Sequence, residues 1–233
     1  MKGLLETGAA PDAAQSQAER RRASDARMLR AAMRIVAEKG AAGATLAEIG
    51  VAAGYSRGLP AERFRTKLVL LETLMDSMDQ WFRDRVGSVV AGKQGMPAVL
   101  ARIEAHIDGA CASRVATAAL YSLFVESLSA VSELRPRAVA LSASFHDGFR
   151  VHLEEAKSRG EIRDDVDCGE VAGIIVGALR GLIMQSLLDD GASDLAALKP
   201  QLIGFVTAAL NRATPPSTVR LPQGRRGKGH EPH

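Results

Sequence analysis

The stretch ATLAEIGVAAGYSRGLPAERFRTKLVLLETL, residues 44–74, decides the fold. Thr45 is placed to cap a short helix over residues 46–53, which Gly54 ends, and Ser56 is placed to cap a second helix that reaches about Phe64. Two short helices joined by a tight glycine turn are typical of a helix-turn-helix unit, provided that a preceding helix packs against them.

Helices are predicted on both sides of this unit. Ser24 can cap a preceding helix that runs to Lys39 and stops at Gly40, and Thr66 can cap a long helix that follows. Further helices are expected from Pro97 to about Cys111, from Val115 to Leu134, from about Pro136 to Gly160, after Asp167 and after Asp194. Because no segment alternates as a strand does, the sequence predicts an all-α fold of about nine helices.

The charges divide the chain into blocks. Of its 233 residues, 46% are hydrophobic and 24% are charged, a balance that is typical of a folded protein and argues against global disorder. Residues 20–67 contain eleven Lys or Arg against four Asp or Glu, whereas residues 68–211 contain thirteen against nineteen. The basic block therefore favours contact with a polyanion. Residues 1–23 and the basic residues 213–233 are predicted to be flexible tails.

The composition also predicts the compartment. The longest apolar run, residues 171–179, stops at Arg180 and is shorter than the about 20 residues of a membrane span. The first residues contain no apolar core of a signal peptide. Cys111 and Cys168 form neither a disulfide framework nor a zinc motif. We expect a cytoplasmic protein that does not bind membranes and needs no metal or cofactor.

The predicted second short helix would carry the DNA contacts. An α-helix fits the major groove, where residues at its N-terminus reach the base edges. The residues expected to face outward are Ser56, Arg57, Arg63, Arg65 and Lys67. Arg57 is the candidate for a bidentate contact with guanine. The helix N-termini at Thr45, Ser56 and Thr66 would offer N–H groups to phosphate oxygens.

These residues resemble the DNA-binding segment of the TetR (tetracycline repressor) family of bacterial regulators. The positions that match its pattern, in order, are Thr45, Ile49, Ala53, Gly54, Ser56, Gly58, Phe64, Thr66 and Lys67. Farther along, RGEIRDDVD (residues 159–167) and the GALRGL helix (residues 177–182) are similar to the family's ligand-binding and dimerisation domain. The resemblance covers about residues 24–212.

The resemblance implies a non-enzymatic, dimeric transcription regulator, a repressor that binds a palindromic DNA operator and is released by a small apolar or amphipathic effector. Residues 24–66 would form the helix-turn-helix domain, and residues 67–212 the effector-binding and dimerisation domain. The implied DNA-binding residues are Thr45, Tyr55, Ser56, Arg57, Gly58, Arg63, Arg65, Thr66 and Lys67.

The chain departs from the family pattern in the second short helix. Ala61 and Glu62 occupy positions where the family usually has aromatic residues, including its phosphate-contacting tyrosine, and Gly50 replaces the usual alanine. Pro60 is expected near the fourth position of the helix, where its ring would crowd a backbone carbonyl. Arg63 is expected to compensate for the missing tyrosine.

Two more sets of residues are expected in the second domain. The candidates for the effector cavity are Trp81, Phe82, Met96, Tyr121, Phe124, Phe145, Phe149 and Met184. The candidates for the dimer interface are Gly173, Gly177, Gly181, Leu202, Phe205 and Val206. Glycines cost helix stability, and close approach of a helix from a second copy would offset that cost; tight packing within one copy is the alternative.

Two other functions remain open from the residues alone. Residues 54–58, Gly-Tyr-Ser-Arg-Gly, match the G-x-S-x-G pattern of serine hydrolases, but that pattern needs a strand before the turn. Alternatively, Pro60 and Glu62 would suit a helical interaction module whose helix-turn-helix no longer binds DNA.

Overall fold

The computed structural model describes residues 16–189 and 194–211, and this part of the chain is all-α, as predicted. Its nine α-helices are α1 (Gln17–Gly43), α2 (Leu46–Ala52), α3 (Leu59–Phe64), α4 (Lys67–Val90), α5 (Gly95–Ala112), α6 (Arg114–Glu126), α7 (Arg135–Ser158), α8 (Cys168–Leu188) and α9 (Leu195–Leu210). A 3-10 turn, Ser132–Leu134, precedes α7. The predicted tail at 213–233 and residues 1–15 of the other tail lie outside the described residues.

The cap of helix α1 lies eight residues before the predicted one. Ser16 is the cap: its hydroxyl accepts from Glu19 N–H, and the Glu19 carboxylate accepts from Ser16 N–H in return. The predicted start at Ser24 is wrong because Ser24 is buried inside the helix. Gly40 has a φ of 78° and breaks the helix where the stop was predicted, and one further turn follows it.

Helices α2 and α3 form the predicted pair. The Thr45 hydroxyl accepts from Glu48 N–H at 3.2 Å, whereas the Glu48 carboxylate pairs with Lys39 rather than with the cap. Helix α3 begins at Leu59 after Gly58, so the predicted cap at Ser56 is wrong. Pro60 is therefore in the first turn of α3, where the missing N–H costs nothing, and not near the fourth position.

A hydrophobic core joins the helix-turn-helix to the rest of the molecule. It includes Met28 of α1, Ile49 of α2, Phe64 of α3, Leu71 of α4, Leu123 of α6 and Leu141 of α7. Helix α6 is thus packed directly against α1, the helix that precedes the helix-turn-helix. It ends at Glu126, eight residues earlier than predicted. A second core is formed by residues of α5, α7, α8 and α9.

Helix α8 has the length and composition of a membrane span, the one such helix in the described ranges. The same test is passed by core helices of soluble proteins. Ala172, Ile175, Leu179 and Ile183 of α8 are buried in the second core, so one face of this helix packs inside the protein.

Candidate DNA-binding surface and effector cavity

The turn before α3 forms an exposed surface. Ser56, Arg57 and Gly58 are all exposed, and the described part of the chain provides no hydrogen bond or ion pair for the Arg57 guanidinium. Thr45 and Thr66 are exposed as well. Their hydroxyls accept from Glu48 N–H and Val69 N–H, each at 3.2 Å, so their side chains hold the starts of α2 and α4.

Arg65 extends this surface from a strained position. It has a φ of 65°, and Thr66 N–H donates to the Phe64 carbonyl at 2.7 Å, which closes a γ-turn around Arg65. This conformation is uncommon for a residue with a side chain and concentrates at functional sites. It places an exposed cation directly between α3 and α4.

Three other residues predicted for DNA contact have partners within the protein. Arg63 was expected to face outward, but its side chain is only 16% exposed and its Nε lies 3.5 Å from Asp25 Oδ1 on α1. The Lys67 ammonium donates to the carbonyls of Ala41 and Ala42, at 3.2 and 2.9 Å. Tyr55 is partly buried against the first core. The prediction that Arg63 is an outward cation is wrong because α1 provides a carboxylate for it.

Sequence reasoning missed a row of exposed arginines on α1. They are Arg20, Arg21, Arg22, Arg27, Arg30 and Arg34. The charge of residues 20–67 indicated a basic surface, but the predicted start at Ser24 placed the first three in a tail. The helix in fact carries them as part of the folded unit.

A cavity of about 680 Å³ lies between the helix-turn-helix and the second domain. Its walls come from α1, α4, α5, α6, α7 and α8. Of the eight predicted effector residues, Trp81, Phe82, Tyr121, Phe124 and Phe145 line it. The other three do not: Phe149 is fully buried in the second core, Met96 packs against that core, and Met184 lies outside the lining. The helical periodicity of the sequence cannot by itself distinguish aromatic residues that face the core from those that face the cavity.

His106 is a polar residue within the aromatic wall of the cavity. Its Nδ1 lies 2.8 Å from the Arg102 carbonyl, while its Nε2 is buried and has no hydrogen-bond partner within the described part of the chain. The rings of Phe82 and Phe145 contact it edge-on, with centroids 4.4 and 5.6 Å away. Desolvation, together with the charges of Arg102 and Arg180, lowers its pKa to about 4. The imidazole is therefore neutral at neutral pH.

Two contacts join the cavity wall to helices α1 and α3. Helix α6 lines the cavity, and at its end the Glu126 carboxylate accepts from Ala41 N–H and Ala42 N–H, both at 2.6 Å, and from the Ser122 hydroxyl. Asp25 also lines the cavity and pairs with Arg63 of α3. A displacement of α6 would therefore act through Glu126 on the end of α1, which Lys67 connects to α4. A displacement of α1 would act on α3 through the pair of Asp25 and Arg63.

Helices α8 and α9 present an uncovered apolar face. Ile174 and Phe205 are 64% and 69% exposed. Among the glycines predicted for the dimer interface, Gly177 and Gly181 have open space where a side chain would project, whereas Gly173 lies near His146. Leu202 and Val206 are buried in the second core of the same copy, which contradicts their expected position on the surface.

Comparison with known proteins agrees with this architecture. Residues 28–74 match the sequence model of bacterial regulatory proteins of the tetR family, and residues 95–200 match that of the tetracyclin repressor-like C-terminal domain. No curated protein matches the chain.

Solved structures share the fold at low identity. The fatty acid degradation regulator FadR from Bacillus halodurans is 19% identical with a TM-score of 0.69, and the match covers 79% of this chain and 94% of that one. FadR from Bacillus subtilis, solved with stearoyl-CoA, is 18% identical with a TM-score of 0.70, covering 80% and 99%. A Saccharomonospora viridis transcriptional regulator solved with choline is 16% identical with a TM-score of 0.73, covering 82% and 99%.

The chain is thus a helix-turn-helix transcription regulator with an effector-binding C-terminal domain. It belongs to the TetR family of bacterial regulatory proteins, which is non-enzymatic. The serine hydrolase alternative fails, since Ser56 follows a helix and residues 16–189 and 194–211 contain no strand for a nucleophile elbow.

Proposed function

We propose that the protein is a dimeric, cytoplasmic repressor that leaves a palindromic operator when a small amphipathic molecule fills the 680 Å³ cavity. The observation that carries the proposal is the composition of the cavity wall, which includes both α1 of the DNA-binding unit and α6. A volume of this size is within the range of about 300–1,000 Å³ of small-molecule sites. Structural neighbours solved with stearoyl-CoA and with choline support a small-molecule effector.

In this proposal, the exposed turn at Ser56, Arg57 and Gly58 enters the major groove. Arg57 binds base edges, and Arg65 binds phosphate oxygens beside the N–H groups at Thr45 and Thr66. The exposed arginines of α1 add attraction for the phosphate backbone. Arg63 and Lys67 support the surface indirectly, because each holds another element in place.

A second copy would cover the exposed face of α8 and α9. Ile174 and Phe205 would lose their contact with water, and the open positions at Gly177 and Gly181 would allow close approach of a partner helix. Two copies related by a two-fold axis present two recognition turns, each formed by Ser56, Arg57 and Gly58, to one duplex. These turns must be about 34–36 Å apart to reach successive major grooves.

Release would follow from the contact between α6 and the end of α1. A ligand in the cavity displaces α6, and Glu126 transmits the displacement to Ala41 and Ala42. Lys67 connects the same two residues to the start of α4. The ligand would favour a population of dimers whose recognition turns no longer match the groove spacing.

The test is selection of genomic DNA fragments by the purified chain, followed by affinity measurements with and without candidate effectors. The proposal predicts a selected operator whose affinity falls when a ligand fills the cavity. Unchanged operator affinity with the ligand bound would contradict effector release. Weak association that does not respond to salt would instead favour an interaction module, since phosphate contacts give a strong salt dependence.

A further inference from the structure

The acidic residues of the cavity wall are already paired. Asp25 Oδ1 lies 3.5 Å from Arg63, and Asp79 Oδ2 lies 3.3 Å from Arg83 and 3.4 Å from Arg137. None of these three arginines lines the cavity. Each of these carboxylates thus has an arginine beside it, and the paired charges attract a cationic ligand less than free carboxylates would, although Oδ1 of Asp25 and of Asp79 is buried without a hydrogen-bond partner among the described residues.

Arg180 has the opposite environment. It lines the cavity from α8, and within the described ranges no carboxylate pairs with it. Its Nη2 donates to the Ser142 hydroxyl at 3.0 Å, and its guanidinium carbon lies 5.0 Å from the centroid of the Phe124 ring. Burial lowers the pKa of the Arg180 guanidinium because it disfavours the charged form.

A partly buried cation without a counter-ion is costly, and a bound anion would offset this cost. Among the residues that the structure describes, only one guanidinium nitrogen of Arg180 donates to a protein acceptor, so the guanidinium retains donors for a ligand. Arginine and an oxyanion can form paired, charge-assisted hydrogen bonds, which are stronger and more directional than neutral ones. The exposed Arg22 and Arg30, also part of the lining, add positive charge at the edge of the cavity.

We infer that the effector cavity is specific for an amphipathic oxyanion, a carboxylate or phosphate group on an apolar body, with Arg180 as its counter-ion. The inference rests on the proposed function in one respect, namely that this cavity is the effector site. The apolar body lies against Phe82, Phe124 and Phe145, and the charged group lies at α8. Cationic ligands are disfavoured because Arg180 repels them and Asp25 and Asp79 are already paired.

The test uses four ligands that share a twelve-carbon chain: dodecanoate, dodecyl phosphate, dodecanol and dodecyltrimethylammonium, each below its micelle concentration. Trp81 is the single tryptophan of the chain and lines the cavity, so its fluorescence reports binding to the full-length protein without DNA. We expect one or both anions to bind at least tenfold more tightly than the alcohol, and the cation to bind most weakly. The two anions distinguish a carboxylate site from a phosphate site.

Equal binding of the alcohol and both anions, or preference for the cation, would overturn the inference, and this comparison needs no variant. Arg180→Met should remove the anion preference while leaving dodecanol binding within about threefold. Arg150→Met is the matched control, because Arg150 is on α7 outside the cavity lining and pairs with Asp147 and Glu154. Retention of the preference in Arg180→Met would also overturn the inference.

A second measurement separates this inference from the proposed function. Operator affinity is measured at saturating concentration of the preferred anion. If the cavity bound anions selectively but operator affinity did not change, the proposed release by an effector would be contradicted. The selectivity of the cavity for anions would still be established. Operator release by dodecanol as effective as release by the anions would support the effector cavity and overturn the role of Arg180.

Discussion

Gly50 of α2 and Pro60 of α3 are in contact across the turn of the helix-turn-helix. A Cβ atom on residue 50 would lie 3.0 Å from Pro60 Cδ and 2.5 Å from the Ser56 carbonyl oxygen. Pro60 is buried and fills this space. The two departures from the family pattern, a glycine for the usual alanine and a proline in the second short helix, therefore fit each other.

Gly50→Ala should destabilise the protein and weaken its DNA binding. The added methyl group forces the Ser56 backbone and the Pro60 ring apart, and overpacking of this kind costs about 1–3 kcal/mol. Gly87→Ala is the matched control: a side chain there meets nothing within 4 Å, and alanine should raise helix stability by up to about 1 kcal/mol. Thermal unfolding measures both variants, and equal stability of Gly50→Ala and the natural chain would contradict the contact.

Arg57→Ala should lose discrimination between the operator and unrelated DNA. A bidentate contact with guanine contributes about 1–3 kcal/mol of discrimination. Fluorescence anisotropy with the selected fragment and a scrambled fragment measures this change, with Arg150→Ala as the control on a remote surface. If Arg57→Ala discriminated as well as the control, Arg57 would not read bases.

Arg63 should act through Asp25 rather than through phosphate. Asp25→Asn and Arg63→Met should each weaken DNA binding, and the double variant should lose less than the sum of the two single losses because both remove the same ion pair. The salt dependence of DNA affinity should stay the same in Arg63→Met. A flatter salt dependence in that variant would mean that Arg63 contacts a phosphate group.

Glu126→Gln should loosen the junction between α6 and the end of α1. Desolvation opposes ionisation of Glu126, but hydrogen bonds from Ser122, Ala42 and Ala41 overcome this effect and lower its pKa. Its stabilising contribution is therefore present above the ordinary carboxylate pKa and is lost as pH falls through the lowered value. The variant should lose about 1–3 kcal/mol at neutral pH.

Exposed Glu133 provides the control for this variant, since Glu133→Gln changes the same charge at a surface position on the 3-10 turn. Denaturant unfolding of the two variants at neutral pH compares their stabilities. Operator affinity with and without effector then measures coupling, which should weaken only in Glu126→Gln. Full coupling in that variant would contradict the proposed route through Ala41 and Ala42.

His106 should make the protein less stable in mild acid. Its pKa is about 4 in the folded chain against 6.5 for the free side chain, so between these values only the unfolded chain takes up the proton. Stability should therefore fall as pH decreases from 6.5 towards 4, by about 3 kcal/mol for this group. In His106→Phe, the part of the stability loss that comes from protonation of His106 should be missing. Parallel stability curves for the two proteins between pH 7 and 4 would contradict it.

The sequence predicted several caps and the glycine turn correctly because each depends on neighbouring residues, but the predicted caps at Ser24 and Ser56 are wrong. Thr45, Thr66, Asp167 and Asp194 cap helices in the structure as their spacing indicated, and Gly54 has the positive φ of a turn. The predicted start of α1 at Ser24 is wrong because the helix already begins at Gln17, where Ser16 and Glu19 form a capping box.

The site was less predictable because it depends on contacts between distant segments. The helical periodicity of the sequence placed Phe145 and Phe149 on the same helix. It could not show that Phe149 is buried in the core whereas Phe145 lines the cavity. Likewise, Arg63 pairs with Asp25, which is 38 positions away in the chain. The sequence alone does not show this pair and therefore predicts that Arg63 faces outward. Such contacts require the packed arrangement of α1, α3 and α6.

A hydroxyl-radical footprint of the full chain on its selected fragment shows directly whether a symmetric dimer reads DNA through the turn at Arg57. We expect two protected half-sites of an inverted repeat, with centres about one helical turn or a multiple of it apart, and loss of both in Arg57→Ala. A single unrepeated site, or uniform protection without sequence preference, would contradict a symmetric dimer that reads DNA through the turn at Arg57.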